Sequence, residues 1–233
     1  MKVNALWLSR MCSYKNSSLC IESAKTVIAL KIERETVLLK RYKRPFIETK
    51  IKNKLDLTAV FLEEARMAKR FWEEFGKLIP LADFSGRKPR HNDVTNKLLD
   101  IGYHHLMNIV SKILDKYEIP TAMGLLHVPR NSDSTPLVYD LVEIFRADII
   151  DAEVLRFLRL KKKKLERADN QIAHFLHEVN ERLERKYYLK EFRTCHTYLY
   201  YMEVQILKFI KAVNRKEVFK PLSLPDRHEN RCS

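Results

Sequence analysis

Four glycines in 233 residues are too few to carry a chain through many tight hairpins. The backbone is therefore expected to run in long helices, interrupted where proline or short polar stretches break the pattern. The fold class read from this is all-α, a multi-helix domain with little or no β structure. Hydrophobic residues at 45% and charged residues at 32% give enough apolar material for a real core and exclude a disordered chain. No apolar run approaches the roughly 20 residues that span a bilayer. Residues 3 to 8 (VNALWL) are too short for a signal-peptide core. The cysteines at 12, 20, 195 and 232 show neither CxxC pairing nor a zinc-ribbon rhythm, so free thiols and a cytoplasmic location are expected.

The 44 basic residues outnumber the 30 acidic ones, for a formal charge of +14. Such an excess favours polyanionic partners, with nucleic acid first and an anionic membrane surface second. A solvated basic surface is the plain alternative. No segment combines an amphipathic Lys/Arg-rich face with low hydrophobicity, which removes the membrane reading. P-loop, GxGxxG, GxSxG and HExxH patterns are all missing, and with them the nucleotide, dinucleotide, hydrolase-elbow and zincin chemistries.

Along the chain, residues 1–18 carry little pattern and are read as a short N-terminal segment, 19–222 as the helical domain, and 223–233 as a flexible tail. Ile21, Ala24, Val27, Ile28, Ile32 and Leu39 mark a helix from Leu19 that Pro45 ends or kinks, with Lys31, Arg34, Lys40 and Arg41 between them. A second helix runs from about Leu55 to Leu78. Its stripe of Leu57, Val60, Phe61, Ala68, Phe71, Trp72 and Phe75 includes Glu64, while Glu63, Glu73 and Glu74 fall outside. A carboxylate on a buried face must be paired or metal-bound, so Glu64 either meets an arginine of another helix or ligates a cation.

After a basic connection from Phe84 to Asp93, Asn92 or Asp93 caps a helix reaching about Tyr117. His104 and His105 within it are adjacent, hence divergent, and are read as surface or packing residues. The run Lys161 to Lys164 is read as a solvated turn or helix face that also offers a phosphate contact. Helices are expected over Ala168–Tyr188, where His174 and His177 are read as structural, and over Thr194–Val213, where Tyr198, Tyr200, Tyr201 and Phe209 pack the core or, alternatively, stack on bases.

The stretch with chemistry in it is Gly124 to Arg146. A Gly124-Leu-Leu-His127 turn is followed by a helix opening at Pro136, with Leu137, Val138, Leu141 and Phe145 on its apolar face. Asp140 and Glu143 lie together on the other side at i,i+3. Alone, that pair is what a solvated face looks like. With His127 and Glu64 it forms a set of carboxylates and one imidazole, which suits Mn²⁺ or Mg²⁺ better than structural zinc and suits attack on a phosphodiester.

Several segments, taken in order, resemble the CRISPR-associated spacer-acquisition integrase, the universal nuclease of the adaptation step. Leu62-Glu-Glu64-Ala-Arg-Met-Ala68-Lys-Arg-Phe71-Trp72 is similar to that family's glutamate with small residues and an aromatic pair. Asp93-Val-Thr-Asn96-Lys-Leu-Leu-Asp-Ile-Gly102-Tyr103 resembles its D-P-x-N-x-L-L-N-x-G-Y helix, with valine at 94 and aspartate at 100 as departures. Gly124-Leu-Leu-His127 resembles G-x-L-H, Tyr139-Asp140-Leu-Val-Glu143-Ile-Phe145-Arg146 resembles L-D-L-M-E-x-F-R, and Phe219-Lys220-Pro221 resembles the closing Y-x-P-F.

Carried over by position, the resemblance implies metal ligands at Glu64, His127 and Glu143, which are 63 and 16 residues apart, and a second acidic position at Asp140. It implies a divalent-metal-dependent DNA endonuclease and integrase that inserts short spacers by transesterification. Double-stranded and branched DNA are its substrates, in a homodimer with a small ferredoxin-like partner. The family's N-terminal β-rich domain has no counterpart beyond the first eighteen or so residues. The competing expectation is a non-catalytic DNA-binding helical remnant or split subunit.

Overall fold

The computed structural model describes residues 4–45, 51, 56–81, 83–129, 135–161, 168–224 and 232, with backbone alone at 161 and 168–170. Helices α1 (Ala5–Lys15), α2 (Ser18–Arg41), α3 (Leu57–Gly76) and α4 (Val94–Lys116) come first. A short α5 (Pro136–Val142) leads through a turn into a π-helical turn (Ala147–Asp151), α6 (Ala152–Lys161) and α7 (Ala168–Glu184). Strands β1 (Lys186–Leu189) and β2 (Thr194–Thr197) form one antiparallel hairpin before α8 (Tyr198–Arg215). The fold is mostly all-α, as the scarcity of glycine implies.

Several boundaries follow directly from local chemistry. Asp93 caps α4 by accepting from Asn96 N at 2.9 Å, and His91 Nδ1 lies 2.6 Å from the other Asp93 oxygen. Asn96 turns back to accept from Lys88 N (2.8 Å) and to donate to the Gly86 carbonyl (3.1 Å), which staples the basic connection onto the helix. Gly102 has no room for a side chain: a Cβ there would lie 2.5 Å from Ile150 Cγ2, so α4 and the π-helical turn approach almost backbone to backbone.

The structure departs from the sequence reading in five places. Residues 5–15 are helical rather than patternless. Trp7, Met11 and Tyr14 share one buried face, Trp7 meets Phe209 edge-on, and the Tyr14 hydroxyl donates to the Glu217 carbonyl at 2.8 Å. The expected helices over 168–188 and 194–213 give up three and four residues, respectively, to the hairpin strands. The β-favouring sequences Lys-Tyr-Tyr-Leu and Thr-Cys-His-Thr pair across a turn in which Arg193 takes a positive φ of 54°.

Cys195 and Cys232 are joined as a disulfide, against the expectation of free thiols, because the Cys232 backbone pairs with β1 and sets the two Cα atoms 6.4 Å apart. On α3 the buried carboxylate is Glu63, which Arg66 pairs at 2.7 Å, whereas Glu64 is half-buried at the rim and Phe61 faces solvent. Finally, Leu224 is buried, with its carbonyl accepting from Arg34 at 3.2 Å, where the expected flexible tail has already begun. Residues 225–231, and all of the 161–164 lysine run but the Lys161 backbone, lie outside the described residues.

Candidate metal centre

The site is built from the loop that precedes α5. Asp140, fully buried on α5, accepts from the backbone N–H groups of Leu125, Leu126 (3.2 Å) and His127 (3.1 Å), and from His127 Nδ1 at 2.7 Å. Gly124 makes this possible, since a Cβ there would collide with the Asp140 carboxylate and lie 2.9 Å from the Pro136 carbonyl carbon. With Nδ1–H committed to a carboxylate, the free lone pair of the neutral imidazole belongs to Nε2, the usual way a protein fixes a ligating tautomer. The Asp140 hydrogen bond, working against burial, raises the His127 pKa.

Glu143 follows α5 directly and Glu64 projects from α3; both reach the ammonium of Lys31 on α2. Lys31 Nζ lies 2.7 Å from Glu143 and also pairs with Glu64. The Lys31 side chain is 3% exposed, against 24% for Glu64, 19% for Glu143 and 41% for His127, so the imidazole and the two carboxylates rim the solvent side of a buried cation. Below it, Arg146 donates to Glu35 at 2.8 Å and lies 3.3 Å from Glu143, with its guanidinium 5.8 Å from the Trp72 and Tyr103 ring centres. Tyr103 donates in turn to Asp151 on the π-helical turn.

Burial opposes charge on Glu143, but Arg146 and Lys31 outweigh it and hold the carboxyl down at about 2. For Asp151 burial wins over Arg146 and Tyr103 and lifts it to about 7. Burial also raises Glu35, against the pull of Lys31 and Arg146.

These positions correct the sequence reading. Asp140 and Glu143 do not share a solvated face: α5 is buried nearly all round, and Asp140 orients the imidazole instead of facing the other carboxylates. Glu64 pairs with a lysine rather than an arginine, and that lysine joins it to Glu143. Among the described residues no three His, Cys, Asp or Glu side chains converge closely enough to hold a metal. Here Lys31 takes the shared place between the carboxylates.

Lys31, Glu35, Arg146 and Asp151 were not singled out from the sequence as site residues. A signal for the first two was present: 24, 27, 28, 31, 35 and 38 continue one helical face of α2, and Lys31 and Glu35 fill slots in it that apolar residues otherwise hold.

The donor chemistry, rather than the present spacing, suits a divalent cation. Two cations, Lys31 and Arg146, meet four carboxylates, Glu35, Glu64, Glu143 and Asp151, a surplus of two acidic groups over basic ones. Glu143 Oε2 is buried and accepts no well-aligned hydrogen bond, despite lying close to both cations. Carboxylate oxygens with one imidazole nitrogen form the donor set that Mn²⁺ and Mg²⁺ accept.

A mostly helical domain with an imidazole and two carboxylates around one cationic position is thus defined, and the comparisons with known proteins agree on its class. The sequence profile of the family described as CRISPR associated protein Cas1 matches residues 2–193, and the chain belongs to that family. CRISPR-associated endonuclease Cas1 1 of Saccharolobus solfataricus is 29% identical over 175 residues, covering 69% of this chain and 49% of that protein. The corresponding Archaeoglobus fulgidus protein is 31% identical over 111 residues, covering 44% and 32%. The chain thus spans at most about half the length of these curated relatives.

Among solved structures, a casposase bound to integration product superposes with a TM-score of 0.78 at 22% identity, over 94% of this chain and 69% of that one. The CAS1 protein TM1797 of Thermotoga maritima gives 0.76 at 14% identity, over 91% and 71%. At these identities the structures speak for the fold. No described helix is long and apolar enough to cross a membrane.

Proposed function

We propose that this chain is the helical catalytic part of a DNA endonuclease and integrase of CRISPR adaptation. In this reading it uses Mn²⁺ or Mg²⁺ held by Glu64, His127 Nε2 and Glu143 to open and rejoin phosphodiesters of double-stranded and branched DNA by transesterification. The observation that carries the proposal is the convergence of α2, α3 and the end of α5 on one cation, beside an imidazole whose other nitrogen is pinned. A bound divalent ion supplies Lewis-acid stabilisation of the charge that develops on the phosphoryl oxygens.

The chain's own groups do the rest. Asp140 keeps Nε2 unprotonated at the working face once His127 is neutral. Arg146 keeps Glu143 ionised. A place for the polyanion is supported by a cleft of about 440 Å³ lined by Lys208, Lys211, Arg215 and Lys220, with Glu217 the one acidic lining residue among the described residues. One chain of similar fold is solved as a Cas6-RT-Cas1–Cas2 complex, and a Cas2-type partner is accordingly part of the reading for this chain. Its assembly as a homodimer with a small ferredoxin-like adaptation protein is the finer part of the same proposal.

Branched duplex DNA incubated with the protein and Mn²⁺ is expected to be cleaved or joined. His127→Ala and Glu143→Gln should lose at least about a hundredfold in rate while keeping wild-type helical content, the size of loss common for a removed electrostatic or acid–base group. Undiminished turnover in both variants would remove the site assignment. The presence of Lys31 between the carboxylates favours one second reading, a DNA-binding subunit without catalysis. Salt-dependent DNA binding with no Mn²⁺-dependent turnover would establish it.

A further inference from the structure

We propose that Lys31 is an exchangeable internal counter-cation: its ammonium holds Glu64 and Glu143 together when no divalent ion is bound, and retreats to Glu35 when one binds. The inference deepens the metal-centre reading and rests on it. Geometry supplies both ends of the movement. In the observed position one ammonium serves two carboxylates from helices that are otherwise separate, and it is shielded from water while both carboxylates keep an open edge. A cation arriving from solvent meets those edges and His127 before it meets Lys31.

The other end is Glu35, one turn further along α2 and hence on the same face. Its Oε1 is taken by Arg146 at 2.8 Å, whereas Oε2 is buried and has no hydrogen-bond partner in this state. A buried carboxylate oxygen left unmatched is costly, and a lysine four residues away on a flexible four-carbon stem is the group able to match it. As an exchangeable cation, Lys31 keeps the two carboxylates from repelling each other apart before metal arrives, and it sets how tightly metal is held. It is a positioning residue, since in the loaded state it touches neither metal nor DNA.

Calorimetric titration of the whole protein with Mn²⁺ alone tests the idea. Lys31→Met should bind Mn²⁺ about tenfold more tightly than wild type, as expected when a dominant competing state is removed, while melting at a lower temperature in EDTA. A purely structural lysine would lower both stability and affinity together, so unchanged or weaker binding overturns the proposal. Glu35→Gln should shift affinity the other way, and an unchanged affinity there overturns the retreat to Glu35.

If Lys31→Met fails to fold, the wild-type protein still decides. Amine labelling of Lys31, read by peptide mass, should change several-fold on adding Mn²⁺, and labelling indifferent to Mn²⁺ overturns the exchange. Wild-type Mn²⁺ binding that Glu143→Gln abolishes but Lys31→Met leaves unaltered defeats this inference and leaves the metal centre standing. Absence of Mn²⁺ binding in every variant defeats both.

Discussion

Asp140→Asn tests the scaffold of the site without removing any proposed ligand. The carboxylate receives four donors, two on each side: the N–H groups of Leu125 and Leu126 on one oxygen, the His127 N–H and Nδ1 on the other. An asparagine of the same shape keeps one acceptor oxygen and turns an NH₂ toward the other pair, so two buried donors lose their partner. At about 1–3 kcal/mol for each buried donor left unsatisfied, the loss is about 2–6 kcal/mol. For a domain of this size that is roughly a 4–24 °C drop in Tm.

The direction with pH is also fixed. The His127 pKa is raised in the folded protein, so its contribution is fully present below the unfolded value near 6.5 and is lost as pH rises through the folded value. The gap between wild type and Asp140→Asn should therefore be wider at pH 6 than at pH 9, and the His127 ring should titrate lower in the variant. Thermal melts across that range, with NMR titration of the imidazole, measure both. A Tm within about 2 °C of wild type, below the smallest expected shift, would refute the claim that Asp140 holds this loop together.

Asp151→Asn should flatten the dependence of stability on pH: burial lifts the folded carboxyl from 3.8 to about 7, so wild-type stability declines as pH rises across that window, by about 1.4 kcal/mol per pKa unit, and the variant's should not. Denaturant titrations at pH 4.5 and 8 check it. Gly102→Ala forces a methyl group against Ile150 and should cost about 1–3 kcal/mol by overpacking, read as a lower denaturation midpoint. Lys211→Ala with Arg215→Ala should weaken DNA binding uniformly across sequences and reduce the slope of log affinity against log salt by about two, one for each cation lining the cleft.

How far the fold was legible depends on what each residue has to do. Long helices followed from four glycines and from apolar spacing, and the Asp93 cap was readable because an N-cap acts on a backbone three residues away. Helix α1 escaped because its buried face is only three residues long and its packing partners, Phe209 and Glu217, lie some two hundred positions on. The hairpin escaped for a similar reason. Tyr187, Tyr188 and the threonines of β2 favour a strand, but each segment is only four residues long and abuts a helical pattern, so the choice is made by the pairing of Lys186 with Thr197 and by Cys232 arriving from the far end of the chain. Local patterns report local causes, and these elements have remote ones.

The site divides along the same line, and the division says what kind of site it is. Glu64, His127, Asp140 and Glu143 could be named because acidic and imidazole side chains near apolar faces are conspicuous. Their contacts could not be, since Asp140 and Glu143 are one turn apart yet serve different partners: one is saturated by four donors from the 125–127 turn, the other pairs with Lys31 and Arg146. The missing half is the basic half. Lys31 and Arg146 read as ordinary charges because a lysine on a basic chain carries no information about burial. Only the packing of α2 against α3 and the π-helical turn puts two cations between the outer carboxylates, Glu64 and Glu143, and the buried ones, Glu35 and Asp151. A cluster that were merely structural would gain from balancing those charges, because each unmatched buried carboxylate destabilises the fold. This one keeps two more carboxyl groups than cations and raises the Glu35 and Asp151 carboxyls by burial, and Glu35 holds a buried oxygen without a hydrogen-bond partner. Under the proposed function, that unevenness is the room a further cation would use.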